Sequence, residues 1–145
     1  MAQGRRTYVI GAVSLLSSRL AALVDGRLKG VTYRQWFLLT MIDRMPRGEK
    51  SVNDIAQFAG TTRQNVRTMV TSLESKGLLE VMPSSRDGRA LSVKLTRKAR
   101  RCLSANADVM AEIEDELFSD ISNAELDHMV SGLSKLLEAV EPGEE

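Results

Sequence analysis

The stretch from Ser51 to Thr96 constrains the fold of this chain more than any other. It contains, in order, a short helical pattern, a sharp turn, a second helical pattern, and two alternating strands joined by the basic loop SSRDGR. Two helices around a tight turn, followed by a β-hairpin, are typical of a winged helix-turn-helix. The predicted fold is therefore mainly α-helical with a small β-hairpin wing.

Local signals predict where these elements begin and end. Ser51 and Asp54 form a pair resembling a capping box at the start of the first helix, and Gly60 permits the left-handed backbone that ends it. Thr61 or Thr62 can cap the second helix. Similar Thr/Gln and Ser/Glu pairs precede the second and the last predicted helices, at 32–35 and 122–125.

The second helix of the motif separates apolar from polar side chains. Its apolar stripe repeats at helical spacing and should face the core: Val66, Met69, Val70 and Leu73. A merely solvated surface is one interpretation of the opposite side, but its residue types suit base edges and phosphates. We predict that Gln64, Arg67 and Thr68 contact base edges. Thr62 and Arg63 should lie on phosphates or at the groove margin.

The loop between the two strands contains Asp87-Gly88, a strong turn signal, between Arg86 and Arg89. Asp87 is close enough in sequence to hold one guanidinium in a bidentate pair. A tip arginine can enter a narrow minor groove, where the negative potential is enhanced. We therefore predict that Arg86, Asp87 and Arg89 belong to the DNA-binding site, with Arg89 in the minor groove braced by Asp87. A merely solubilising loop is a plausible alternative for Arg86 and less so for the other two.

The run LLEVMPSSRDGRALSVKLT resembles the wing of the MarR family (multiple antibiotic resistance regulators). Asp87, Arg89, Leu95 and Thr96 match its wing motif, and residues 62–68 match the start of its recognition helix. Where family wings commonly read Asp-Arg-Arg, this chain has Gly88 in the middle. The resemblance extends over essentially the whole chain and implies a homodimeric DNA-binding transcriptional regulator, usually a repressor released by a small ligand or by oxidation.

The flanking segments suggest how two copies could associate. A frayed arm is expected at 1–7, then helices at 8–28, 33–45, 97–121 and from 122 to about 140. Heptad-like spacing in the last two predicts helix-on-helix packing across a twofold axis, through Leu103, Met110, Ile113, Leu117, Leu133 and Leu137. We thus divide a single protomer, 1–145, into a DNA-binding lobe at 32–96 and dimerisation helices at 8–28 and 97–140.

The formal net charge of +1 conceals a strong division of charge along the chain. Between Gly60 and Arg101, basic residues far outnumber acidic ones, whereas from Cys102 onward Lys135 is the sole base among many acids. One end of the molecule should attract phosphates while the other repels them. This distribution favours nucleic-acid binding despite the small net charge.

Other chemistries find little support. Cys102 and His128 are the only residues of their types, so a catalytic triad or a usual metal site cannot be assembled, and we expect neither enzyme activity nor a cofactor. A small aromatic or amphipathic effector remains possible beside the apolar helix at 33–45. Two alternatives stay open: a winged helix used for protein interaction, and redox sensing through Cys102.

The sequence also indicates the cellular compartment. A lone cysteine suits a reducing cytoplasm, and the N-terminus lacks a signal-peptide cleavage pattern. No apolar run approaches the roughly 20 residues of a membrane span, so no membrane association is expected.

Overall fold

The computed structural model describes residues 2–140, which form six helices and one two-stranded sheet. The elements follow in chain order: α1 Ala2–Asp25, α2 Tyr33–Arg44, α3 Val52–Ala59, α4 Arg63–Ser75, β1 Leu79–Pro83, β2 Leu91–Leu95, α5 Arg97–Phe118 and α6 Asn123–Ala139. A helix-turn-helix followed by a hairpin is thus present where the sequence predicts it, and the fold class is confirmed.

The predicted helix caps form as expected. Thr32, Ser51 and Ser122 each complete a reciprocal capping box with the residue three positions on. Thr62, rather than Thr61, caps α4 by accepting the Asn65 N–H at 3.2 Å. The turn between α3 and α4 needs Gly60, because its φ of 64° lies in the left-handed region that side chains with a Cβ disfavour.

The wing is joined to the helix-turn-helix by more than chain connectivity. Strands β1 and β2 pair antiparallel, with Val81 opposite Val93. On the other edge of β2, the N–H of Val93 donates to the carbonyl of Lys50 at 2.7 Å, and Ser51 forms a β-bridge with Ser92. The α2–α3 loop therefore pairs with β2 through one isolated bridge and one backbone hydrogen bond, which fix the wing to the residues that begin α3.

The main hydrophobic core lies inside this lobe. It unites side chains of α2, α3, α4, the two strands and the start of α5. Leu39, Ile55, Val66 and Leu73 are completely shielded from solvent. The apolar stripe predicted for α4 is thus turned inward, which leaves its polar side exposed.

Helix α1 differs from its prediction at both ends. It begins at Ala2, so the expected frayed arm is wrong for residues 2–7, and Met1 lies outside the described residues. The Thr7 hydroxyl donates to the Gln3 carbonyl at 3.1 Å within the first turns. It ends at Asp25 rather than near Leu28, because the chain turns at Gly26 and the next two N–H groups both donate to the Val24 carbonyl.

Helix α1 bears on the expectation that no apolar run approaches the length of a membrane span. By length and composition alone, the α1 residues Gln3–Asp25 would suffice, and only 6% of the apolar window is buried. Counting uninterrupted apolar runs missed this helix because Ser14, Ser17 and Arg19 interrupt them. The finding leaves an exposed apolar helix that needs a covering partner.

The heptad-like seam of α5 is used mainly within one protomer. Met110 and Ile113 are buried against Val24 of α1, and Leu103 packs on the main core. Leu117, Leu133 and Leu137 remain 40%, 42% and 66% exposed, and no residue of α6 is buried. The predicted dimerisation residues therefore divide into three that stabilise the protomer and three that are free to meet a second copy.

The ends of the last two helices are close to their predictions. Helix α5 ends at Phe118, about one turn before the predicted Ile121, where the Ile121 N–H bonds the Phe118 carbonyl. Helix α6 runs to Ala139. Pro142 and Gly143, which the sequence suggests would stop it, lie outside the described residues.

Candidate nucleic-acid interface

The outward side of α4 presents polar groups that are not used elsewhere in the fold. All five residues assigned to DNA from this segment are exposed: Thr62, Arg63, Gln64, Arg67 and Thr68. Within residues 2–140, the side chains of Arg63, Gln64 and Arg67 form no hydrogen bond or ion pair. Their donors are therefore available to a ligand.

The threonine hydroxyls on this helix are already oriented. The Thr68 hydroxyl donates to the Gln64 carbonyl at 3.0 Å, so its oxygen is left as an acceptor and its methyl group is free for apolar contact. The Thr62 oxygen instead accepts the Asn65 N–H, so its hydroxyl proton can still be donated. This difference agrees with a base-edge role for Thr68 and a phosphate role for Thr62.

A polar cluster at the other end of α4 holds the helix against α2. The Gln35 side chain, 9% exposed, accepts a hydrogen bond from the Lys76 ammonium at 2.8 Å and donates one to the Ser72 hydroxyl at 3.0 Å. Lys98 donates to the Lys76 carbonyl at 2.7 Å. The sequence does not reveal the contacts of Gln35 with Ser72 and Lys76, because these residues lie 37 and 41 positions apart in the chain.

The tip of the wing is organised by Asp87, but not in the predicted way. Asp87 accepts the backbone N–H of Arg89 at 3.0 Å, and its carbonyl accepts that of Ala90. No ion pair joins Asp87 to the Arg89 guanidinium in the described part of the chain, so the predicted bidentate brace is wrong. The carboxylate is used to close the turn, which leaves the exposed Arg89 guanidinium free.

Arg86 is tied back toward the helical part of the lobe. Its Nη2 donates to the Glu49 carbonyl at 3.2 Å, and its Nε lies 3.8 Å from Glu49 Oε2. The side chain is still 70% exposed, so part of the cation can reach solvent or DNA. Glu49 was missed from the sequence because nothing local singles out this residue of the α2–α3 loop.

The residues weighed for other chemistries are not arranged for them. The Cys102 sulfur is half-buried, 3.8 Å from the Lys29 carbonyl and 3.6 Å from Asn106 Nδ2. His128 lies exposed on α6. Over residues 2–140, no group of three or more His, Cys, Asp or Glu side chains is placed to hold a metal ion.

Three further ion pairs lie at the junction with α5, and two of them come from Arg27, which also lies 3.5 Å from Glu112. Arg100 contacts Asp43 at 3.1 Å, which reduces the free positive charge at the start of α5. Arg27 contacts Glu116 at 2.8 Å, and this hydrogen bond to the carboxylate raises the pKa of Arg27 further above its ordinary value. Arg63 and Arg67 of α4 and Arg89 at the wing tip are among the cations that form no ion pair within residues 2–140.

An exposed cationic second helix beside a hairpin with a free tip arginine defines a winged helix-turn-helix protein. Residues 29–90 match the model of the MarR family. The matched stretch covers most of the winged helix-turn-helix, the region whose wing sequence resembles that family of transcriptional regulators.

Solved structures share the fold over nearly the whole chain. The transcriptional regulator BldR of Sulfolobus solfataricus is similar with a TM-score of 0.81 and 21% identity, over 97% of this chain and 99% of that one. A Staphylococcus aureus MepR–DNA complex has a TM-score of 0.76 and 23% identity, with 88% and 93% covered. BpsR of Bordetella bronchiseptica, whose DNA binding is regulated by 6-hydroxynicotinic acid, has a TM-score of 0.76 and 21% identity, with 89% and 98% covered.

Proposed function

We propose that this protein is a sequence-specific, double-stranded DNA-binding regulator that acts in the cytoplasm as a homodimeric repressor. The observation behind the proposal is the unpaired set of donors on α4, Arg63, Gln64 and Arg67, together with the free Arg89 of the wing. Their geometry suits a recognition helix in the major groove and an arginine in the adjacent minor groove. The MepR–DNA complex supports this docking mode, since it shares the fold.

The second copy is supported by the exposed apolar surface of the terminal helices. Leu16, Val130, Leu133 and Leu137 are between 42% and 66% exposed. A partner copy is the occupant that removes this surface from water without a further component. Twofold symmetry then requires a pseudo-palindromic site, with half-sites about one helical turn, or roughly 10 base pairs, apart.

Control by a small molecule is supported by two cavities beside α2. One, of about 570 Å³, lies between α1, α2 and α4 and is bordered by Phe37, Leu38 and Met69 together with Arg34 and Gln35. The other, of about 270 Å³, lies against α5. The first matches the volume of ordinary ligand sites, and its apolar walls with one cation suit a small aromatic or amphipathic effector.

Effector control can be tested by adding a panel of aromatic acids to the protein–DNA complex. We expect at least one compound to release the DNA. Phe37→Ala should weaken that response, because Phe37 lines both cavities. DNA binding that no compound of this class affects would contradict effector control while leaving DNA binding itself intact.

The function as a whole is tested by selecting bound sequences from a random double-stranded DNA pool. We expect enrichment of a motif with two inverted half-sites at the spacing given above. Recovery of no motif, or of a single asymmetric one, would contradict sequence-specific binding by a symmetric dimer.

A further inference from the structure

One carboxylate receives several hydrogen bonds at the base of the wing. Glu49, in the α2–α3 loop, accepts the Ser84 hydroxyl at Oε2 over 2.6 Å and the Ser85 N–H at Oε1 over 2.9 Å. The Ser85 hydroxyl also donates to Oε1. Both serines immediately follow Pro83, the last residue of β1, so the contacts fall where the strand gives way to the wing loop.

Ser84 extends this anchor into the loop. Its hydroxyl donates to Glu49 and at the same time accepts the N–H of Arg86 at 3.1 Å, and its own N–H donates to the Ala90 carbonyl at 2.9 Å. Arg86 returns to the Glu49 backbone carbonyl, as described above. The path of the loop from Ser84 to Ala90 is thus set by contacts that begin at one side chain.

The bonding pattern favours the ionised form of Glu49. A carboxylate offers only acceptors, and the wing supplies only donors to it. These bonds from Ser84 and Ser85, aided by the Arg86 charge, lower the pKa of Glu49 from 4.5 to about 2. At neutral pH a full negative charge therefore stands in a lobe whose proposed ligand is a polyanion.

A negative charge in that position should by itself weaken DNA binding. We propose that Glu49 nevertheless increases DNA affinity, because it is a positioning residue that holds the wing in the orientation in which Arg89 reaches DNA. The proposal rests on the proposed DNA-binding function. Glu49 acts through the loop and need not touch DNA itself.

The location of Glu49 explains how it can set this orientation. The next residue, Lys50, accepts the N–H of Val93 in β2, and Ser51 both pairs with β2 and caps α3. Glu49 thus belongs to the backbone segment that joins the wing to the helix-turn-helix. An anchored loop has less conformational freedom to lose on binding DNA, which favours affinity.

The test is a DNA-binding titration of Glu49→Gln at several salt concentrations, on an operator from the pool selection. Gln keeps the size of the side chain, but its amide nitrogen cannot accept the Ser84 or Ser85 bonds. We expect affinity to fall about three- to tenfold, which corresponds to the loss of a typical hydrogen bond. Tighter binding would mean that Glu49 acts only through its charge and would overturn the proposal.

Glu80→Gln is the matched control. It removes the same charge from strand β1 of the same wing, and Glu80 is exposed, with no hydrogen bond or ion pair from its side chain in the described part of the chain. We expect this variant to bind DNA as well as the wild type or slightly better. If Glu80→Gln and Glu49→Gln changed affinity equally, no positioning role would remain.

A double-mutant cycle with Arg89→Ala tests whether Glu49 affects DNA affinity by positioning Arg89. If Glu49 acts by presenting Arg89, the effect of Glu49→Gln should shrink once Arg89 is absent. Fully additive effects would contradict this route.

Amide hydrogen exchange gives a readout that does not depend on DNA. We expect Ser85 and Arg86 to exchange faster in Glu49→Gln, and unchanged protection would contradict the anchor. Should Glu49→Gln fail to fold, Ser85→Ala, which removes one donor, takes its place in each measurement. A wild-type protein that binds no DNA would refute the proposed function, whereas normal wild-type binding with a tighter Glu49→Gln would refute only the present inference.

Discussion

The winged lobe and the terminal helices differ in where they place their apolar side chains. The lobe turns its apolar side chains inward, with Leu38, Leu39, Ile55 and Leu73 at most 1% exposed. Helices α1 and α6 leave theirs outward, with Tyr8 at 76% and Leu137 at 66%. The lobe therefore completes its own hydrophobic core, whereas the terminal helices leave apolar surface exposed in the single protomer.

This difference assigns separate tasks to the two regions. Because the lobe core is filled from within, its polar outer side is free to display Arg63, Gln64 and Arg67. Because the terminal helices are apolar and uncovered, burial against a second copy would stabilise them. Substitutions in the two regions should consequently differ in kind: in the lobe they should affect folding or DNA, and in the terminal helices association.

The largest effect is expected for Leu39→Ala in the lobe core. Removing a completely buried leucine should lower the free energy of unfolding by about 2–5 kcal/mol, measured by urea denaturation. Leu91→Ala, at a position 49% exposed on the wing, is the control and should change it by roughly 0.5 kcal/mol or less. Equal losses would show that the lobe core is not the source of its stability.

A charge on the exposed face of α6 should act on association instead. We expect Leu133→Glu to raise the dimer dissociation constant about tenfold or more in analytical ultracentrifugation, because a carboxylate would be buried without a partner. Ser131→Glu is the control, since two residues along a helix correspond to about 200° of rotation, nearly the opposite side. If both changes raised the dimer dissociation constant equally, the result would contradict the interface assigned to this face of α6.

Arg67→Ala tests the exposed polar side of α4, which we propose contacts DNA. It should relax specificity by about 1–3 kcal/mol at one position in each half-site, because a bidentate contact to a base edge is lost. The measurement is binding to a set of single-base operator variants, with the dimer mass as the control for association. Wild-type discrimination at every position would contradict the role assigned to Arg67.

The smallest effect concerns pH. The folded-state pKa of Glu49 is lowered from 4.5 to about 2 by its bonds to Ser84 and Ser85, so its contribution to stability is fully present above pH 4.5 and is lost as pH falls toward 2. The stability difference between wild type and Glu49→Gln should therefore shrink over that range. Thermal unfolding at a series of pH values measures it, and a difference that grows on acidification would contradict the anchor.

The elements of the lobe were predictable because their signals are local. Each capping pair spans three residues, and the apolar stripe of α4 follows from helical spacing alone. The start of α1 was not predictable, because the sequence of its first residues is compatible with either a frayed arm or a helix.

The tertiary polar contacts were beyond sequence reasoning. Asn106 fits a heptad position, yet it is completely buried; its Oδ1 accepts the Lys29 N–H at 2.9 Å from 77 residues away. Glu49 reaches Ser85 across 36 residues. Asp87 was placed at the wing tip correctly, but its carboxylate bonds a backbone N–H where a guanidinium was expected.

The central prediction is that a second copy of the chain covers the exposed apolar faces of the terminal helices. Light scattering of the purified 145-residue chain at micromolar concentration measures this directly. We predict a mass twice the 16.0 kDa of one chain. A mass of one chain at that concentration would contradict the account, because the apolar faces of α1 and α6 would then stand uncovered in water.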